Sequence, residues 1–408
     1  MAIVDVTFQD DFRRIANGDT VNLWNDIDII EPFPPIKARN VTLNGRGHTL
    51  RGLIRPLFDY YGADTAVISP TVTNLNVCVE FNRNGITDGD NWGGLFRVAD
   101  RATLRGVSVM ARIRSAHDNI GGIAGSMLGS TLERCAVRGE VDGNFFVGGL
   151  VGFAEGTKMS QCHNEAEVTG HMQGTGGIVG YATLLCQIEE CVNFRSAEVT
   201  GQLNTGGIVG ILGGSGIVRC CRNRADVRGG YNTGGIAGSV TTMGGNTADV
   251  KQCVNSGDVS GETGVGGIAG VVSGETLIAD NCGSGSVTGT NDWVGGIAGA
   301  VYPLARAVEI KGNRVRQGSV SGDEFVHRIV GFSSPGLVMT NNMAEPGVLV
   351  TGNNTADSQV YDKQAVRGSD PQLGGWLMHG MSCKKQCPNG ACWDGESGPP
   401  VRECLRCP

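Results

Sequence analysis

Short apolar runs, none longer than about six residues, alternate with glycine and small polar residues from position 93 to about 352. Aligning the glycines gives "GGLFR" at 93, "GGIAG" at 121, "GGLVG" at 148, "GGIVG" at 176 and 206, and "GGIAG" at 234, 266 and 295. A decayed copy, "HRIVG", starts at 327, and the steps between starts are 28, 27, 28, 30, 28, 32, 29 and 32 residues. A Cys, often as C-x-N, follows the double glycines at 121, 148, 176, 206, 234 and 266, and V-x-G follows the Cys. One unit is therefore three short apolar segments ended by Gly or Asn. No stretch inside the repeats carries ten or more residues at helical spacing. Self-similarity at this period signals a solenoid, and three short strands per period describe one coil of a parallel β-helix.

The predicted fold is all-β: a single-stranded parallel β-helix, right-handed by expectation, of about ten to twelve coils of ~28–30 residues. The repeat glycines are Gly121 and Gly122, Gly148 and Gly149, Gly176 and Gly177, Gly206 and Gly207, Gly234 and Gly235, Gly266 and Gly267, and Gly295 and Gly296. They are expected to allow a sharp bend, with φ > 0 available, and to keep a Cβ away from the coil above. The third residue of GGIxG is expected to point inward and the fourth outward. Asn in C-x-N is expected at left-handed corners, hydrogen-bonding from coil to coil. Val of V-x-G supplies a second inward position. The longer steps place insertions at corners, in "TTMGGNTAD" and "YPLARA".

Solenoid ends need covers. "TFQDDFRRIANGD" predicts a capping helix within residues 1–19, with Phe8, Phe12 and Ile15 on one face and Asp10 and Asp11 near its start. Coils without the double glycine follow over 20–92, the glycine-marked array spans 93–352, and a terminal strand or linker spans 353–380. A Cys-rich module fills 381–408.

The unit also resembles a known family. "GGLVG", "GGIVG" and C-x-N-x-A-x-V-x-G are similar to the GLUG repeats of bacterial surface and IgA-protease-like proteins. "FRRIANGDTVNLWNDIDI" and "VTLNGRGHTLRGL" resemble the lead-in of those arrays, so the likeness covers roughly residues 8–350. It implies a parallel β-solenoid. It does not imply proteolysis here, because the chain lacks H-E-x-x-H and its six His are dispersed.

Composition narrows the function classes. Gly is 66 of 408 residues, charged residues are 18% and the formal net charge is −7. Collagen is excluded, since Gly does not fall every third residue. Arg and Lys are scattered, so no nucleic-acid footprint is expected. No apolar run is long enough to span a membrane, and the N-terminus shows no secretory pattern; the localisation stays open. A glycine-rich phosphate loop would need a helix start after it, which no copy has.

Of the 14 cysteines, Cys78 lies upstream of the glycine-marked array and the other 13 fall in two groups. Cys135, Cys162, Cys191, Cys221, Cys253 and Cys282, with Cys186 and Cys220, belong to the repeats and are expected as buried reduced thiols forming an inward ladder. The tail spaces its five as C-x3-C-x4-C-x11-C-x2-C. Cys383, Cys387, Cys404 and Cys407 could bind zinc, and disulfides or free thiols are the alternatives.

No catalytic residue and no cofactor other than that zinc is assigned. Glu140, Glu167, Glu198, Asp226 and Asp258 precede V-x-G and are expected as an outward acidic stripe. Asp118 with Glu140, Glu165 with Glu167, and Glu189 with Glu190 are the acidic pairs available to a glycosidase-like site. Trp92, Trp293, Trp376 and Trp393 could stack sugars. The expected function is a non-catalytic structural or adhesive solenoid that self-associates or joins an assembly. The alternative is a carbohydrate-binding or carbohydrate-active β-helix.

Overall fold

A computed structural model describes residues 1–31, 34–62, 70–83, 90–303, 308–316 and 318–353. They form a parallel β-solenoid of about ten turns. In a representative turn the chain runs through Val147–Gly148, folds back over Gly149 and Leu150 into Val151–Glu155, and turns at Gly156 and Thr157 into Lys158–Ser160. It kinks at Gln161 and Cys162, continues as His163–Gly170, and enters the next turn at Gln173–Gly176. Equivalent strands stack in parallel, so the described residues form one nine-stranded sheet, one ten-stranded sheet and one 29-stranded sheet that bends around the kink. The register repeats from turn to turn: Val151 pairs with Val179, Val179 with Val209, and Val209 with Ala237.

Stacking at about 4.8 Å puts like on like, and the interior is a set of side-chain columns. Leu150, Ile178, Ile208, Ile236, Ile268 and Ile297 fill one column with no exposed surface, and the Val of V-x-G fills another. The fourth residue of GGIxG does not face solvent as expected. Ala124, Val151, Val179 and Val209 are also fully buried, because the strands on either side of the fold-back approach each other at backbone distance.

That approach is what the glycines serve. None of the paired repeat glycines has positive φ, so the expected left-handed bend is not their reason. A Cβ on Gly177 would sit 2.7 Å from the Asn193 amide and overlap the Gly207 carbonyl oxygen of the next turn. A Cβ on the closing Gly152 would sit 2.5 Å from the backbone of Asn119 in the turn before. The decayed "HRIVG" fits the same rule. His327 pairs in register with Gly295, and among the described residues Val326–His327 is the last strand of its sheet. With no further strand of that sheet stacked on it, a side chain is tolerated there.

The left-handed corners belong to other residues. The residue just before the Cys position has φ near +55° turn after turn: Arg134 54°, Gln161 54°, Glu190 53°, Cys220 54° and Gln252 57°. The C-x-N asparagines are instead inside the bore. Asn164 Nδ2 donates to Asn193 Oδ1 at 3.0 Å, Asn193 to Asn223 at 2.9 Å and Asn223 to Asn255 at 2.8 Å. The hydrogen bonding between coils is as expected; the corner placement is not.

The front end differs from the predicted capping helix. The chain begins with a strand, Ile3–Val6, paired to Thr20–Leu23, and the helical stretch is a 3-10 turn, Gln9–Arg14. Phe12 is buried, Phe8 is 73% exposed, and Ile15 packs partly on the core. The Asp11 carboxylate accepts from the backbone N–H groups of Thr7 and Phe8, at 2.8 and 3.0 Å, and pins this turn. The "TTMGGNTAD" insertion spans a corner, between Ala237–Thr241 and Thr247–Lys251, and runs into the second of these strands. Most of "YPLARA", all of 381–408 and all but residue 353 of 353–380 lie outside the described residues.

Two outcomes follow. Gly207→Ala, whose Cβ would overlap both Asn223 and the Gly235 carbonyl, is expected to cost more than about 3 kcal/mol. Gly347→Ala, with nothing within 4 Å, should be neutral or stabilising by up to about 1 kcal/mol; chemical denaturation of the two variants checks this. Separately, Thr175, Thr205 and Thr233 are fully buried with unpartnered hydroxyls, in a column where Val147 and Val265 also sit. Thr205→Val should raise stability by about 1 kcal/mol, read from the same curves.

Candidate functional site

A second left-handed column lies two residues before each double glycine, on the outside of the corner leading into the nine-stranded sheet. Asn91, Asn119, Asn204 and Asn232 occupy it with φ of 67°, 56°, 58° and 57°, and Gly174 and Gly264 occupy it at 77° and 71°. These are the residue types that adopt this conformation at least cost. The asparagines also bond along the stack: Asn119 Nδ2 donates to Asn91 Oδ1 at 3.0 Å, and Asn232 Nδ2 to Asn204 Oδ1 at 2.8 Å.

Three bulky aromatics break the pattern. Phe146, Trp293 and Phe325 hold φ of 52°, 65° and 53°. Each belongs to a half-buried aromatic shelf. Phe146 lies 5.1 Å from Tyr181 between ring centroids, with Phe145 and Phe153 beside them. Trp293 stacks on Phe332 at 5.3 Å, with Tyr302 and Phe325 around Phe332. Gly174 makes room for the first shelf, since a Cβ there would sit 2.7 Å from the Phe146 ring.

Polar groups flank the first shelf. The Asp118 carboxylate accepts from Phe145 N–H at 3.3 Å and Asn144 Nδ2 at 3.5 Å. Asp90 Oδ1 accepts from the Asp118 N–H at 3.3 Å and lies 3.9 Å from His117 Nδ1. His171 Nε2 lies 2.8 Å from Asp142. Partial burial raises the Asp118 pKa from its ordinary value; the Phe145 N–H opposes this and the nearby Asp90 charge adds to it.

One acid of each pair read from sequence is held by an arginine of a neighbouring turn. Glu140 pairs with Arg114 at 2.7 Å, Glu165 with Arg138 at 2.8 Å and Glu189 with Arg219 at 2.9 Å. Glu190 accepts from Gln161 at 3.0 Å. Asp118 is brought beside Asp90, while Glu140 turns to Arg114. In the acidic stripe, Glu140 and Glu167 are in register, Glu198 pairs with Arg228, and Asp226 and Asp258 accept backbone N–H groups of the following turn. Trp92 is buried against Phe81, and Trp376 and Trp393 lie outside the described residues.

Cys135, Cys162, Cys191, Cys221 and Cys253 form the expected inward ladder of free, fully buried thiols. Burial pushes Cys135, Cys162 and Cys221 well above the ordinary thiol range. Cys282 is not in that ladder. It pairs in register with Val254 and Arg314, and Asn281 takes the ladder position, donating to Asn313, which donates to Asn342. Cys186 lies at a different corner, where its sulfur accepts from Thr157 N–H, and Cys220 is itself a left-handed corner. Cys383, Cys387, Cys404 and Cys407 lie outside the described residues, and no other cluster of His, Cys, Asp and Glu among the described residues could hold a metal ion.

The aromatic shelves were missed in sequence. The signal is the residue two places before each double glycine and before the decayed copy, which reads Asn, Asn, Phe, Gly, Asn, Asn, Gly, Trp, Phe down the array.

The fold defines the class: a parallel β-solenoid repeat protein. No family model matches the chain, and no curated protein matches it. A solved structure from Bacteroides ovatus, provisionally named an immunoglobulin A1 protease, is 11% identical, with 87% of this chain and 85% of that chain covered and a TM-score of 0.34. No helix among the described residues is long and apolar enough to cross a membrane.

Asp118 gives a pH prediction. A carboxyl whose folded pKa is raised favours the folded state when protonated and opposes it when ionised, so its contribution is lost as pH rises. Asp118→Asn should therefore raise the Tm at pH 7, and the gain should vanish below the usual carboxylate range; thermal melts across pH measure it.

Proposed function

We propose that the chain is a GLUG-type structural or adhesive solenoid, a component of an assembly rather than a catalyst. The observation that supports this is the use made of its carboxylates. Glu140, Glu165 and Glu189 each spend their charge on an arginine one turn away, which ties coil to coil along the outside. A hydrolase needs two carboxylates free to meet substrate. The Cys-rich segment 381–408 is proposed as the docking or cross-linking piece, with zinc at Cys383, Cys387, Cys404 and Cys407 as one means and disulfides as the other. The test is native mass by light scattering, with and without reductant and chelator. Assembly is expected, and multimers that fall apart under one of the two treatments would assign the tail's chemistry. A strict monomer in all conditions would count against the reading.

One observation favours a second reading, a carbohydrate-active β-helix: Asp118, with its raised pKa, stands beside Asp90 and an aromatic shelf. It requires polysaccharide cleavage that is lost in Asp118→Asn, and a hydrolysis screen that returns nothing removes it.

A further inference from the structure

Phe146 costs the fold twice. A bulky residue in the left-handed region carries strain of roughly 1–3 kcal/mol, where the same column elsewhere uses Asn or Gly. It also interrupts the asparagine ladder. Asn119 donates down the stack to Asn91, but its own Oδ1 is buried and has no partner. An Asn at 146 would donate to that oxygen, as Asn232 donates to Asn204. Backbone conformation and the amide ladder both count against Phe146, and against them stands its ring packing on Tyr181 and Phe145. The construction recurs at Trp293 and Phe325, again left-handed and again in a half-buried aromatic shelf.

The two shelves share one flank. Phe146 and Trp293 occupy the same column, separated by Gly174, Asn204, Asn232 and Gly264. Five steps of about 4.8 Å put them ~24 Å apart along the stack. Carboxylates border both: Asp118 and Asp142 at the first, half-buried Asp292 and exposed Glu324 at the second. Ionised carboxylates only accept hydrogen bonds. A ligand matching this strip has apolar faces to lie on rings and many hydroxyl donors, and it carries no negative charge.

We infer that this flank is a two-shelf binding strip for a neutral polysaccharide lying along the solenoid axis, with Phe146 and Trp293 as its platforms. This rests on the adhesive reading and supplies its ligand class; it needs no cleavage.

The test uses the full chain with laminarin, pullulan and galactomannan as neutral probes, and polygalacturonate as the acidic one, in affinity electrophoresis and calorimetry. The variants are Phe146→Asn and Trp293→Asn, each restoring the residue type the column elsewhere carries. At least one neutral probe should bind wild type, and each variant should weaken it tenfold or more while Tm holds or rises. Three results would overturn the inference: no neutral probe binding wild type, binding unchanged in both variants, or equal binding of polygalacturonate. A fall in Tm in both variants would also overturn it, because the rings would then be structural. Light scattering on the same samples keeps the two readings apart. Assembly without glycan binding sinks only the strip, and glycan binding by a monomer sinks only the assembly.

Discussion

The structure depends on one constraint, the backbone-to-backbone contact at the fold-back before the ten-stranded sheet. Turns that stack at about 4.8 Å leave no thickness for a side chain where two strands cross at that corner. Gly148, Gly149 and Gly152 are glycine because a Cβ on any of them would enter a carbonyl, an inward amide or the chain of the turn before. The period of the sequence is the perimeter of the coil, and the double glycine is the point where that perimeter is pinched. Everything inside the bore is arranged around the pinch. The second glycine of each pair faces the inward residue across the bore, Val137 opposite Gly122 and Asn164 opposite Gly149.

Polar atoms survive inside this bore because stacking supplies their partners. A lone buried amide costs free energy, but an amide under another amide donates to it. The Asn164-to-Asn255 column and the Asn281-to-Asn342 column each solve the problem this way. The second takes over where the cysteine ladder stops at Cys253, and the junction is bonded, since the Cys253 N–H donates to Asn281 Oδ1 at 2.9 Å. A thiol and an amide are interchangeable there because both are small and both meet backbone groups of the preceding turn.

Much of the fold was legible because a parallel in-register stack writes its geometry as a period. The Ile and Val columns, the buried Cys positions and the amide ladder could all be read from spacing. Details that depend on which residue turns the chain could not. Periodicity locates a corner to within a residue or two, and Gln161, Glu190 and Cys220 carry no compositional mark of left-handed backbone. The single-residue shift that puts Asn281 in place of Cys282 is invisible for the same reason. At the front, Phe8, Phe12 and Ile15 have helical spacing, but Ile3–Val6 already pairs into the sheet and leaves room for only one tight turn.

Exceptions to a repeat are informative only when their cost is counted. His327 departs from the glycine rule at the last strand of its sheet, where no later turn of that sheet presses on it, so that substitution carries little cost and says only that the array stops. Phe146 departs from the corner rule in mid-array, with turns stacked on both sides, an unpaired amide oxygen beneath it and a strained backbone of its own. The repeat gives both positions the same freedom to vary, and physics charges them differently. A residue kept where it strains its own backbone and leaves a neighbour unpaired is answering to something outside the core. In the column two residues before the double glycines, the residues that depart from Asn and Gly are all aromatic: Phe146, Trp293 and Phe325.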